Sequence, residues 1–202
     1  MYPTLTYHFA ERARALVSSG DRASILYAAL EIRMGVESRL QSYVQANDEV
    51  SSALKKGWQI PKLFKGLEGT FSNSSKVVEF TVSTGDTGQV AMHFIPVSAA
   101  LKNHAERFGN ALHVTANSHS SDNWWDALEA SVRDAVRDLE ICAQATLLGV
   151  PLLDPEGQVH TKFEFHSSDP RLELMQSLAR TRAQHKFNVS YIATESYYAS
   201  AR

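Results

Sequence analysis

The chain is poor in cysteine, and this scarcity restricts the class of protein to which it can belong. Its 202 residues include a single cysteine, Cys142, so no intramolecular disulfide can form. Small secreted domains that depend on a disulfide framework are therefore excluded, and a lone thiol suits a reducing compartment. Because Cys142 lies in a helical pattern of apolar residues, we expect a small buried side chain rather than a reactive thiol.

Long apolar runs are also missing from the sequence. The first seventeen residues, MYPTLTYHFAERARALV, carry acidic and basic groups and no continuous apolar stretch. They are therefore not typical of a signal peptide or a membrane anchor. We expect a cytoplasmic protein with no membrane partner.

Neither sign of charge dominates the composition. The formal net charge is -2 at pH 7, 44% of the residues are hydrophobic, and ten glycines and six prolines are scattered along the chain. These values are typical of a folded globular protein rather than a disordered or coiled-coil one. Because the overall field does not attract nucleic acid, any phosphate binding must depend on local basic patches.

The spacing of apolar residues predicts a mainly helical chain. A first helix covers residues 3–17 and stops at Gly20, and a long second helix covers residues 22–45 with Asp21 as its N-cap. Glycine and proline interrupt a helical region at residues 49–70, whose apolar face includes Trp58. Further helical patterns cover residues 99–112 and 122–148.

Strand signals occur in the middle and in the last quarter of the sequence. Two alternating runs, residues 77–83 and 89–96, predict a β-hairpin with a loop at 84–88. The last quarter predicts a strand at 158–166, a helix from Asp169-Pro170 to residue 185, and a strand at 187–194. We therefore predict an α+β fold, mainly α. In it, a helical domain of residues 1–150 contains the hairpin, and a β-α-β extension of residues 151–202 packs on that hairpin.

One stretch indicates a chemistry. Residues 107–113 read RFGNALH, which combines an arginine that is always charged with a histidine that titrates near neutrality. Such a pair is the minimum set for cleaving a phosphodiester without a metal. The spacing of Arg107 and His113 alone does not establish this chemistry, because Arg180 and His185 form a similar pair. That second pair ends a predicted helix, where positive charge is ordinary.

The order of elements around this stretch resembles the HEPN superfamily (higher eukaryote and prokaryote nucleotide-binding domains). The resemblance covers about residues 20–150. Its parts are the long helix containing AALEIRMGVESRL, the broken Leu/Lys-rich segment, the run ending in RFGNALH, a polar loop and another long helix. The Arg-to-His run that contains Gly109 and Asn110 looks like the branch found in bacterial stand-alone and defence-associated proteins.

This resemblance implies a helical bundle that dimerises and cleaves RNA without a metal, as a toxin or an antiviral-defence effector. In that mechanism Arg107 would hold the phosphate, and His113 would act as base or acid in attack by the ribose 2′-hydroxyl. Asn110, one helical turn after Arg107, would orient the phosphate or the imidazole. The implied partners are RNA and a second copy of the chain, with a protein partner for the C-terminal extension; no cofactor is expected.

The broken segment at residues 49–70 is locally basic. Lys55, Lys56, Lys62 and Lys65 form the candidate RNA-binding patch. A solvated face beside a packed one explains the same pattern, so both interpretations stay open.

Other interpretations of the motif also stay open. Arg107 as a surface charge, Gly109 as a packing position and His113 as a helix-terminal residue would give a catalytically inactive binding or regulatory module for a nucleotide, RNA or protein. A structural protein or a small phage inhibitor or antitoxin has the same composition. No metal is predicted, because His113, His119 and the following carboxylates are separated by a Ser/Asn-rich loop.

Overall fold

A computed structural model describes residues 4–70, 75–83, 89–113, 121–149, 152–153, 159–180 and 186–201. It confirms the predicted α+β fold, in which helices dominate. Within these ranges, no helix combines the length and the apolar character needed to cross a membrane.

The helices and strands follow one another in an order close to the predicted one. The helices are α1 (Thr6–Ser19), α2 (Arg22–Ala46), α3 (Ser52–Lys55), α4 (Ile60–Thr70), α5 (Ala99–Ala111), α6 (Asp122–Ala143), α7 (Arg171–Arg180) and α8 (Thr194–Ala201). The strands are β1 (Lys76–Ser83), β2 (Gln89–Phe94), β3 (Leu152–Leu153), β4 (Val159–His160) and β5 (Lys186–Ala193).

Local signals set the turn between α1 and α2 as the sequence predicts. Gly20 ends α1 with φ of 74°, a left-handed conformation that glycine adopts without steric cost. The side chain of Asp21 then caps α2 by accepting a hydrogen bond of 2.9 Å from the backbone N–H of Ser24. These two residues place α1 and α2 side by side.

Helix α2 is the centre of the helical bundle and contacts α1, α4, α5 and α6. A glycine permits its close approach to two of them: a Cβ at Gly35 would lie 2.8 Å from Leu139 Cδ2 and 3.0 Å from Phe9 Cβ. Leu139 and Phe9 belong to α6 and α1, and both are buried. The core of the bundle therefore forms where these three helices meet.

A three-stranded antiparallel sheet lies beside the bundle in the order β2-β1-β5. Val78 of β1 pairs with Phe94 of β2 on one side and with Tyr191 of β5 on the other. The sheet is joined to the bundle by Tyr43 of α2, whose buried hydroxyl donates a 2.6 Å hydrogen bond to the carbonyl of Ile95. The strand after α7 thus belongs to the same sheet as the hairpin.

The structure differs from the prediction at the end of α6, which stops at Ala143 instead of continuing to residue 148. The backbone N–H groups of Thr146 and Leu147 both donate to the carbonyl of His93 at 2.9 Å. In a continued helix these N–H groups would donate to carbonyls of α6 four residues earlier, but here the His93 carbonyl of β2 accepts both hydrogen bonds. The same segment forms an isolated β-bridge between Leu147 and Phe163. Of the strand predicted at residues 158–166, the described residues keep only Val159–His160 as a named strand.

Two further differences concern packing. Helix α8 was not predicted, and its buried Tyr198 donates a 3.0 Å hydrogen bond to the carbonyl of Pro96. Trp58 is 60% exposed instead of contributing to the core, and it lies in the short connection between α3 and α4. The predicted hairpin loop, His119 and His185 lie outside the described residues.

Candidate functional site

The predicted motif lies on the last turns of α5 and its solvent side. Arg107 and Asn110 are exposed, and His113 is exposed directly after the helix. Phe108 points the opposite way and is 1% exposed in the core. The bulky apolar residue inside the motif therefore anchors α5 and leaves the polar side chains facing outward.

A second arginine lies beside this motif, and the sequence analysis did not assign it a role. Arg33 of α2 donates from Nη1 to the carbonyl of Ala105 at 3.3 Å. A Cβ at Gly109 would lie only 2.3 Å from the same Nη1. Gly109 therefore makes room for the Arg33 guanidinium against α5, which adds a positive charge to this end of the helix.

The structure brings Arg107, Asn110 and His113 to one end of α5 but does not enclose them. None of the three lines the groove beside α1 and α2 that contains Met34 and Gln45 or the polar cavity that contains Arg39. Of the competing pair, Arg180 is exposed at the end of α7.

The predicted basic patch is largely on the surface. Lys56, Lys62 and Lys65 are exposed and Lys55 is partly buried. The exposed Trp58 lies among them in the sequence. Helix α4, which carries two of the lysines, contacts both α2 and α5, so the patch adjoins the helix that carries the motif.

A polar cavity of about 460 Å³ lies on another part of the molecule, between the bundle and the sheet. Its walls come from α1, α2, β2, the segment after α6, the segment before α7, and α8. The charged, histidine and aromatic side chains that line it are Tyr7, Glu11, Arg39, His93, Glu164, Phe165, His166, Asp169, Arg171 and Tyr197.

Arg39 is the most buried charged group of this cavity, with 1% of its surface exposed. Its Nη1 lies 3.1 Å from Oε1 of Glu164, and its guanidinium carbon lies 5.5 Å from the centre of the Tyr43 ring. Its Nε is buried and has no hydrogen-bond partner among the described residues. A desolvated guanidinium with one ion pair is an unusual component of a helix face.

The cavity wall also contains a second ion pair and an aromatic pair. Asp169 accepts from the backbone N–H of Arg171 at 2.9 Å and from Nη2 of the same residue at 2.6 Å. Hydrogen bonds from Arg171 lower the pKa of Asp169 below its usual value. The rings of Tyr7 and His166 meet edge to face at 4.3 Å, and burial is the main cause of a raised pKa for Tyr7.

None of the predicted site residues lines this cavity, although the sequence contains one signal for it. Arg39 lies on the same stripe of α2 as the buried Ile32, Val36 and Tyr43. An arginine at a position where the helical period requires an apolar residue indicates a buried charge with a specific partner. The partner, Glu164, lies 125 residues later and no local pattern points to it.

In the described part of the chain, no three or more His, Cys, Asp or Glu side chains are grouped so that they could hold a metal ion. In comparisons with known proteins, no family model, no curated protein and no solved structure matches this chain. The HEPN resemblance therefore depends on the sequence pattern of the α2 to α6 region alone.

Proposed function

We propose that the protein is a metal-independent endoribonuclease whose reacting groups are Arg107, Asn110 and His113. The observation that supports this proposal is their placement. All three side chains are exposed at one end of α5, while Phe108 between them is buried and holds the helix in the core. A cytoplasmic setting, with a reduced buried Cys142, is part of the same proposal.

The chemistry follows from the three residue types. An imidazole removes the proton of a ribose 2′-hydroxyl, whose oxygen attacks the neighbouring phosphorus, and a second imidazole protonates the departing 5′-oxygen. The products are a 2′,3′-cyclic phosphate and a 5′-hydroxyl. Arg107 holds the phosphate and offsets the charge that accumulates on its oxygens, and Asn110 orients it.

One copy of the chain supplies one His113, so the proposal requires a second copy for the other proton transfer. The exposed apolar side chains Tyr27, Leu30 and Met34 recur at three- and four-residue intervals on α2. They flank Arg33, whose side chain contacts α5. Burial of this stripe against a second copy would bring two motifs close together.

RNA would reach the motif along the basic patch. Lys56, Lys62 and Lys65 offer exposed ammonium groups to phosphates, and Trp58 offers an exposed ring on which a base can stack. The net charge of the whole chain is negative, so binding would weaken steeply as salt increases and would depend on this patch. On the β5 side, exposed Phe187, Val189 and Tyr191 are the surface on which a protein partner of the C-terminal extension would pack.

The direct test is incubation of the full chain with single-stranded and structured RNA in the presence of a chelator. Wild type should produce fragments with cyclic phosphate ends, and Arg107→Ala and His113→Ala should each lower the rate by at least about 100-fold. Arg133→Ala is the control, because Arg133 is an exposed arginine on α6 that pairs with Glu129. Cleavage by both variants at the wild-type rate would refute the assignment, and loss of cleavage in Arg180→Ala would favour the competing pair.

A second candidate is a catalytically inactive binding or regulatory module. It is favoured by the exposure of Arg107, Asn110 and His113, none of which lines the polar cavity that contains Arg39. Light scattering, RNA binding and the cleavage assay together separate the two candidates. A strictly monomeric protein that binds RNA without cutting it would be such a module, whereas a dimer that cuts RNA supports the nuclease.

A further inference from the structure

The polar cavity contains a positive charge whose hydrogen-bonding capacity is only partly used. A guanidinium has five N–H donors, and it binds a carboxylate best through two parallel hydrogen bonds. Arg39 instead contacts one oxygen of Glu164, at 3.1 Å. The Nε of this 1% exposed side chain has no acceptor among the described residues. The ion pair with Glu164 thus leaves the Nε–H donor of Arg39 unused.

The cavity beside Arg39 has the size and the walls of a small-molecule site. Its volume of about 460 Å³ falls within the range of roughly 300–1,000 Å³ that such sites occupy. Tyr7, Phe165 and Tyr197 supply aromatic surface for the apolar body of a ligand.

Hydrogen bonds between backbone groups fix these walls. The N–H of Glu164 donates to the carbonyl of Thr146 at 2.8 Å, and the N–H of Thr146 donates to the carbonyl of His93 at 2.9 Å. The site is therefore largely formed in the free protein, which lowers the entropy lost on binding.

Ion pairs within the wall occupy most of its charged groups. The carboxylate of Asp169 is engaged by three nitrogens of Arg171, and Glu164 contacts Arg39, so these two acids are already neutralised by partners. Glu11 is exposed. Tyr7, another lining residue, adds a neutral hydroxyl donor.

We propose that this cavity binds a small organic anion, in which a carboxylate or phosphate monoester is attached to a flat apolar body, and that Arg39 anchors the anionic group. Glu164 competes with the ligand for the same guanidinium. The site is independent of RNA cleavage, because Arg107 and His113 do not line it.

The test uses the full chain and four probes: benzoate, phenyl phosphate, inorganic phosphate and, as a cationic control, benzylammonium. Binding is measured by calorimetry, and the NMR signal of the Arg39 Nε–H group is followed in each titration. Saturable binding of benzoate or phenyl phosphate with a shift of this signal is expected, and the tighter of the two identifies the anionic group. Binding of none of them, of inorganic phosphate alone, or of benzylammonium equally well would overturn the proposal.

Two substitutions at the ion pair should have opposite effects. Glu164→Gln removes the competing negative charge and should tighten anion binding by roughly tenfold. Arg39→Lys removes the planar fork and should weaken it by about tenfold or more. If Arg39→Lys does not fold, the titration of Glu164→Gln still tests whether Arg39 anchors the anion.

The matched control is Glu140→Gln. Glu140 forms an ion pair with Arg14 between α6 and α1, and neither residue lines the polar cavity. This variant should bind the probes as wild type does. Anion binding that is unchanged or weaker in Glu164→Gln would show that Arg39 is only a structural charge.

Discussion

Arg39 and Glu164 form an ion pair across 125 residues of sequence, and it joins the middle of α2 to the irregular segment before α7. The arginine is almost completely buried and the glutamate is partly exposed. The two partners are therefore unequal: removal of the acid leaves a desolvated positive charge, whereas removal of the base leaves an acid that water can reach.

Truncation of the acid should destabilise the fold. Glu164→Ala should lower the free energy of unfolding by about 1–3 kcal/mol, which is less than for a fully buried pair because water reaches Glu164. Urea unfolding measures the change. The control is Glu129→Ala, which removes the exposed partner of Arg133 and should cost less than about 0.5 kcal/mol. Equal costs for the two variants would contradict the burial argument.

Helix packing at Gly35 should tolerate no side chain. Gly35→Ala places a methyl group 2.8 Å from Leu139 Cδ2 and should cost about 1–3 kcal/mol. Gly69→Ala is the matched control in α4, where a Cβ meets nothing within 4 Å, and it should be neutral or stabilising by up to about 1 kcal/mol. Thermal melting of both variants checks the prediction, and a stable Gly35→Ala protein would mean that α2 and α6 are less closely packed.

The hydroxyl of Tyr43 should contribute measurably to stability. Tyr43→Phe removes the 2.6 Å hydrogen bond to the carbonyl of Ile95 and leaves a buried acceptor with a poorer donor, the thiol of Cys142 at 3.6 Å. We expect a loss of about 1–2 kcal/mol in urea unfolding. Tyr27→Phe, at an exposed position of the same helix, should change nothing beyond error.

Low pH should destabilise the fold at the segment before α7, because the Asp169 carboxylate becomes protonated. Hydrogen bonds from Arg171 hold the pKa of Asp169 below its usual value, so the ionised form stabilises the fold at neutral pH. This contribution is complete above the unfolded pKa, about 3.9, and is lost as pH falls through the lower folded value. Asp169→Asn should therefore be less stable than wild type at pH 7, and the difference should shrink towards pH 2. A constant difference across that window would contradict this linkage.

Gly109→Ala should change the candidate site and leave the stability of the fold nearly unchanged. The added methyl group displaces the flexible end of Arg33, which can move at little cost, so the melting temperature should change by only a few degrees. If Arg33 assists phosphate binding, RNA cleavage should fall by roughly tenfold, less than for the loss of Arg107 itself. Unchanged cleavage in Gly109→Ala would exclude Arg33 from the site.

The parts of the fold that depend on neighbouring residues were predictable from the sequence. Asp21 and Gly20 set the start of α2 and the end of α1 because capping and left-handed backbone are local properties. The end of α6 was not predictable, because the carbonyl of His93, an acceptor on a distant strand, captures the N–H groups of Thr146 and Leu147.

The candidate sites also differ in whether neighbouring residues or distant ones create them. The α5 motif was recognisable as a run of residue types, and its catalytic role stays a prediction. The division into a domain of residues 1–150 and an extension of residues 151–202 also stays a prediction. The cavity was not predictable because Glu164 lies 125 residues after Arg39, and no local pattern in the sequence pairs the two.

The pairing of β5 with β1 has a consequence for the chain during its synthesis. Thr194, the first residue of α8 directly after β5, donates from its side chain to the carbonyl of Ser75, 119 residues earlier. A ribosome therefore releases the hairpin long before its third strand exists, and one edge of β1 is open in the nascent protein. An open strand edge is a template for incorrect pairing, so this chain should fold slowly and benefit from chaperones.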